Sequence, residues 1–168
     1  MKENFPENNA DPLLQKEDPH SAFMRIALEE AQMAAEEEEV PIGAVLVHNG
    51  EILARDHNRM EQTGDPTAHA EILVIRKAAP FFPSWRIEKS ILYATVEPCP
   101  MCAGAIHQAR IDLLVYGTAN PKAGAVHSLF SILSDSRLNH QCEIISGVLR
   151  DECADLLGQF FRNRRKQI

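Results

Sequence analysis

Residues 90–117 read SILYATVEPCPMCAGAIHQARIDLLVYG: a short apolar β-prone run, a stretch of small and apolar residues of helical length, and a second β-prone run. Strand, helix and strand in such close succession fold as a β-α-β unit, with the helix crossing over one face of the sheet. That unit commits the chain to a layered α/β architecture.

The flanking segments extend the same pattern. Upstream, IGAVLVHNG and EILARDHN are two β-prone runs joined around Asn49-Gly50, the dipeptide best suited to a two-residue hairpin turn. Before them, Phe23, Ile26, Ala27, Ala31 and Ala34 recur at helical spacing behind Ser21, the expected cap, and this helix ends in the acidic run Glu36 to Glu39. A polar loop, Arg59 to Thr67, leads into a helix over HAEILVIRKA. After the β-α-β unit, CEIISG reads as a last strand, and Asp151 to Arg165 as a closing helix with Leu156, Leu157, Phe160 and Phe161 on its apolar face. A hairpin followed by β-α-β predicts a three-layer α/β/α sandwich on a mixed five-stranded sheet. Residues 1–20, with three prolines, three asparagines and no apolar period, read as a flexible extension, and residues 21–168 as one domain.

Two stretches carry chemistry. PCPMC places Cys99 and Cys102 at a strand-to-helix join, where Pro100 suits the first helical turn and free N–H groups stabilise thiolates. The two sulfurs can converge on one ion. No second CxxC completes a four-cysteine structural zinc site, since Cys142 and Cys153 lie eleven apart in predicted core elements and read as small buried hydrophobes. His69, at the start of its own helix, is the natural third ligand. Two thiolates and an imidazole suit zinc before iron, and three protein ligands leave a fourth position for water, the pattern of a catalytic site. Glu71, two residues beyond His69, is then the proton carrier for that water. The bland alternatives are a chance histidine–glutamate pair and a structural zinc site. His20, His48, His57, His107, His127 and His140 show no ligand spacing and read as surface or satisfied histidines.

Charge sets bounds on the environment without choosing a partner. The net charge of −7 is uneven: the first forty residues hold eleven acids and three bases, so the other 128 are near neutral at about +1. Arg162, Arg164, Arg165 and Lys166 make the C-terminal end basic, a candidate phosphate contact. There is no apolar span of membrane length and no leader-like h-region at the N-terminus, so a cytoplasmic, reduced-thiol setting is expected.

HAE followed by PCPMC resembles the zinc-dependent nucleoside and base deaminases, whose signature is H-x-E with P-C-x-x-C. VPIGAVLV, NRMEQTGDPTAHAEI, TVEPCPMCAGAI, VYGTANPKAGAVHSL and LNHQCEIISGVLRDECADLLGQFFRNRR together resemble the bacterial tRNA-specific adenosine deaminases over nearly all of residues 21–166. The resemblance implies a cytidine-deaminase-like fold, one zinc ion per subunit, a homodimer, and conversion of adenosine to inosine at the wobble position of a tRNA anticodon loop. It also implies that Asn58 hydrogen-bonds the target nucleoside. One position departs from the family, which usually carries aspartate where this chain has Asn120; losing that charge predicts weaker selectivity for RNA over DNA. Two rivals remain: a free-base deaminase acting on guanine or cytosine, which would not need the basic tail, and a non-catalytic zinc-stabilised RNA-binding module, which would not need Glu71.

Overall fold

The computed structural model describes residues 18–166, so the expected extension at residues 1–20 falls mostly outside the described residues. Among the described residues, five α-helices accompany one mixed five-stranded sheet: α1 (Pro19–Glu36), β1 (Gly43–His48), β2 (Glu51–His57), α2 (Met60–Thr63), α3 (Ala70–Ala78), β3 (Ser90–Val96), α4 (Pro100–Ala109), β4 (Leu113–Thr118), β5 (Glu143–Ser146) and α5 (Arg150–Arg165). Strand order is β2-β1-β3-β4-β5. β1 pairs antiparallel with both β2 and β3, whereas β3, β4 and β5 run parallel. The three-layer sandwich and the mixed sheet expected from the sequence are both present.

Period-two alternation sorts the strands' side chains onto two faces. Leu46, Leu92 and Leu114 pack under Val74 and Ala78 of α3 and Ala103 and Ile106 of α4. Val45, Val47, Tyr93 and Val115 point the other way, against Phe23, Met24, Ile26 and Ala27 of α1 and Cys153 of α5. Gly43 shows how close α1 lies: a Cβ there would overlap the carbonyl oxygen of Ala27. The hairpin turn is at Asn49-Gly50, both left-handed at φ 52° and 80°, as the dipeptide predicts.

Three local expectations are corrected. The cap of α1 is Asp18, whose carboxylate accepts from the Ser21 N–H at 3.1 Å, because Pro19 at the first position lacks an N–H to lose and lets the helix begin earlier. The loop after β2 contains the one-turn α2, closed by Gly64 at φ 64°. Phe161 is 42% exposed. Cys153 alone is fully buried in α5, so the helix rests on the sheet by its first turn, and Leu156, Leu157 and Phe160 are only half-buried.

The topology also explains how distant segments meet. β2 and β3 both run antiparallel to β1, so they share a direction, and the register places His57 opposite Gly43 beside Ala44–Ala94. The segments leaving β2 and β3 therefore emerge at one edge of the sheet. The first leads to α3 and the second to α4.

Candidate active site

His69 and Cys99 occupy equivalent places, each the extended residue that caps a helix. His69 has φ −78° and ψ 148° before α3, and Cys99 has φ −74° and ψ 173° before α4. Pro100 fills the first position of α4, as its missing N–H predicts. Neither cap residue uses its side chain on its own helix. A different residue meets that need at α3: the buried Asn58, leaving β2, accepts the Ala70 N–H at 3.0 Å through its Oδ1.

The side chains so released converge. His69 Nδ1 lies 3.7 Å from Cys99 Sγ and 3.5 Å from Cys102 Sγ. Bond lengths of about 2.1 Å to nitrogen and 2.3 Å to sulfur at tetrahedral angles put the donor atoms about 3.6 Å apart. The His69 nitrogen thus stands at the edge length of a zinc tetrahedron from each sulfur, and all three donors lie within 4.8 Å of one another. The electrostatics point the same way. The hydrogen bond from Cys102, helped by one with His69, lowers the Cys99 thiol to about 4, and the thiolate it forms raises His69 in turn. Sharing that hydrogen bond and being buried both raise Cys102, so the pair releases one proton easily and the second with difficulty. A cation between the sulfurs is what stabilises both thiolates.

Glu71 sits in the first turn of α3 and is 4% exposed, with its Oε2 unpartnered. Burial raises its pKa above the ordinary carboxylate value. A buried carboxyl with a free oxygen beside a metal-type donor set is suited to holding and passing a proton.

The other expected residues take these places. Asn120 is half-exposed; its Oδ1 accepts the Ala123 N–H at 3.2 Å and its carbonyl accepts the Gly124 N–H at 2.7 Å, so it shapes the loop after β4. Arg162, Arg164, Arg165 and Lys166 are exposed at the end of α5, with the Arg164 guanidinium 5.5 Å from the Phe160 ring. Cys142 and Cys153 are buried at 5% and 2% exposure, and burial lifts both thiols to about 12. The six remaining histidines are satisfied away from the cluster: His20 and His127 on the hydroxyls of Tyr93 and Tyr116, and His48, His107 and His140 on backbone carbonyls. His57 lies between Glu30 at 2.8 Å and Glu37 at 3.1 Å. Glu30, Asp56 and His57 also group like metal ligands, but Arg55 engages Glu30, and Arg59 and Lys77 engage Asp56, making a closed ion network.

Sequence reasoning missed Glu97. At 2% exposure, its Oε1 accepts the N–H groups of Val126, His127 and Ser128 at 3.1, 2.7 and 2.9 Å. Its Oε2 accepts the Asn120 N–H at 2.9 Å and the Ser128 hydroxyl. Burial alone would raise its pKa, but these donors outweigh it and bring the carboxyl down to about 2. The available signal was a carboxylate ending a buried strand with no cation nearby in sequence, which has to find its donors elsewhere.

The chain is similar to known proteins in family, sequence and fold. A family model described as MafB19-like deaminase matches residues 18–165. The tRNA-specific adenosine deaminase of Bacillus subtilis is 50% identical over 145 residues, which is 86% of this chain and 90% of that relative. A solved structure from studies of A-to-I editing by tRNA:A34 deaminases at the wobble position of transfer RNA superposes with a TM-score of 0.77 at 47% identity, covering 80% of this chain and 97% of that one. Guanine deaminase from Bacillus subtilis is also similar, with a TM-score of 0.57 and 38% identity, but covers 60% of this chain and 64% of its own.

Proposed function

The chain belongs to the MafB19-like deaminase family, and from that premise we propose that its reaction is the hydrolytic deamination of adenosine to inosine at the wobble position of a tRNA anticodon loop, with one zinc ion on His69, Cys99 and Cys102 and Glu71 as proton carrier. The observation that carries this reading is the convergence of His69, Cys99 and Cys102, with the nitrogen at tetrahedral spacing from each sulfur, beside a buried carboxyl whose Oε2 is unpartnered. Similarity to tRNA-specific adenosine deaminases over 86% of the chain favours a tRNA substrate over a free base. No helix among the described residues is long and apolar enough to cross a membrane. The cytoplasmic location and the homodimer expected from the resemblance belong to the same reading. Leu129 and Phe130, 54% and 55% exposed, offer apolar surface for a second copy.

Bound by two thiolates and an imidazole, zinc would supply the Lewis acidity that makes water nucleophilic near neutral pH. The thiolates weaken that acidity by cancelling the ion's charge, which puts more of the work on Glu71. Glu71 takes a proton from the attacking water and places it on N1 of adenine, which makes C6 electrophilic. It then passes a proton to the departing amine, so that adenosine and water give inosine and ammonia. Because its pKa is raised by burial, the carboxyl can hold that proton between the two transfers. Asn58 keeps its side-chain N–H donors for the target nucleoside, its oxygen being engaged by Ala70. Asn120 meets the ribose of the substrate strand, and the basic end of α5 meets phosphates. An anticodon loop suits the site because an unpaired base is extruded at little cost.

The test is inosine formation in an anticodon stem-loop with adenosine at the wobble position, comparing wild type with Glu71→Ala at matched zinc content. Inosine from wild type alone is expected. None from a zinc-loaded wild type would move the substrate to a free base or nucleoside, and full activity in Glu71→Ala would remove Glu71 as the proton carrier.

A further inference from the structure

Four backbone N–H groups from a single loop, those of Asn120, Val126, His127 and Ser128, together with the Ser128 hydroxyl, converge on the Glu97 carboxylate. Glu97 stands two residues before Cys99, and the next residue, Pro98, receives the Ala125 N–H on its carbonyl at 2.8 Å. Gly124 lies so close that a Cβ there would overlap the carboxylate itself. The loop from 120 to 128 is therefore strapped to the two residues that lead into the metal-binding helix. It cannot shift relative to Cys99 without breaking a buried, charge-assisted hydrogen bond.

The outer side of the same loop is built differently. Pro121 and Lys122 are exposed at its first turn, and His127 and Ser128 at its end. A nucleotide whose base reaches the His69, Cys99 and Cys102 cluster leaves its ribose and phosphates outside it, where an exposed cation such as Lys122 can meet them. Using a fixed carboxylate to hold that loop removes a conformational search that the substrate would otherwise have to complete on binding.

We propose that Glu97 is a positioning residue for the nucleic-acid strand: it holds the 120–128 loop in register with Cys99, so that Asn120 and Lys122 meet the ribose-phosphate next to the target adenosine. The proposal rests on the tRNA deaminase reading and adds to it the element that sets substrate affinity. Glu97→Gln keeps the shape but replaces one acceptor oxygen with an N–H donor facing the loop's own donors, which loosens the strap. Glu97 touches neither metal donors nor the reacting base, so the loss falls on binding.

The experiment compares wild type and Glu97→Gln on a zinc-loaded protein with an anticodon stem-loop substrate, measuring zinc stoichiometry, KM and kcat. The expected result is one zinc per chain in both, KM raised about tenfold and kcat within about twofold. Ser128→Ala, which removes only one donor from the same carboxylate, shifts KM in the same direction by a smaller factor and serves if Glu97→Gln fails to fold. An unchanged KM in a folded, zinc-loaded Glu97→Gln, a fall in kcat at constant KM, or loss of zinc would each overturn the proposal. Absence of inosine from the zinc-loaded wild type would instead overturn the functional reading beneath it.

Discussion

Asn58 joins the fold to the site at one bond, and its substitution separates two roles. Asn58→Ala removes the acceptor for the Ala70 N–H, a bond of 3.0 Å at a residue 1% exposed, leaving a buried donor at the head of α3 with nothing to replace it. Such an orphaned donor costs about 1–3 kcal/mol, and for a domain of this size each kcal/mol moves the melting temperature by about 2–4 °C, so a drop of roughly 2–12 °C is expected. His69 precedes Ala70 directly, so the loss reaches the metal donors. Orienting groups around ligands typically contribute about 10–100-fold in metal affinity, and zinc affinity should fall by a factor in that range. Asn58→Asp keeps the acceptor and puts its charge at a helix N-terminus, so it should restore most of the stability and zinc affinity while losing the amide donors assigned to the nucleoside. The assay is thermal denaturation with a chelator-competition titration for zinc, followed by inosine formation at saturating metal. If Asn58→Ala loses activity with wild-type melting temperature and zinc affinity, the helix-capping argument is refuted and Asn58 acts on the substrate alone.

Other expected outcomes are as direct. Glu71→Gln should lower kcat by about 10²–10⁴ while one zinc per chain is retained, since in the proposed mechanism the residue carries protons and does not ligate; steady-state kinetics with metal analysis checks this. Burial would raise the Asp56 carboxyl, but hydrogen bonds from Lys77, the His57 N–H and Arg59 lower it below its ordinary value of 3.8. A depressed folded value means a contribution that is whole above the unfolded pKa and lost as pH falls through the folded one, so denaturation below about pH 4 should be less steep in Asp56→Asn. Cys142 and Cys153, lifted to about 12, should stay unmodified by a thiol reagent at pH 8 until the chain unfolds. Asn120→Asp should widen the preference for an RNA stem-loop over its deoxyadenosine counterpart; equal exclusion of the DNA by both proteins would remove the selectivity assigned to Asn120.

The architecture was legible because its signals are local. Alternation within SILYATV and IDLLVYG, the Asn49-Gly50 turn and the helical spacing around Val74 and Ile106 each act within a few residues, and together they leave little choice but a mixed sheet between two helical layers. The donor set was legible for the same reason: cysteines three apart at a strand-to-helix join, and a histidine two residues before a glutamate, are chemical types at fixed spacing. What a sequence window does not contain is the partner of a side chain tens of residues away. Asp18 displaced Ser21 as the cap because Pro19 allowed an earlier start, and Phe161 stayed exposed because α5 leaves the sheet after its first turn.

Residue types and their local order therefore determined which groups this protein has for chemistry. Tertiary structure decided how they are held: the shared direction of β2 and β3 brings His69 to the cysteines, the oxygen of Asn58 fixes the head of α3, and Glu97 ties the loop after β4 to the segment before Cys99. The physical reason is that a donor or acceptor buried by folding must be paired, and only the folded chain settles which distant group comes within hydrogen-bonding distance of it.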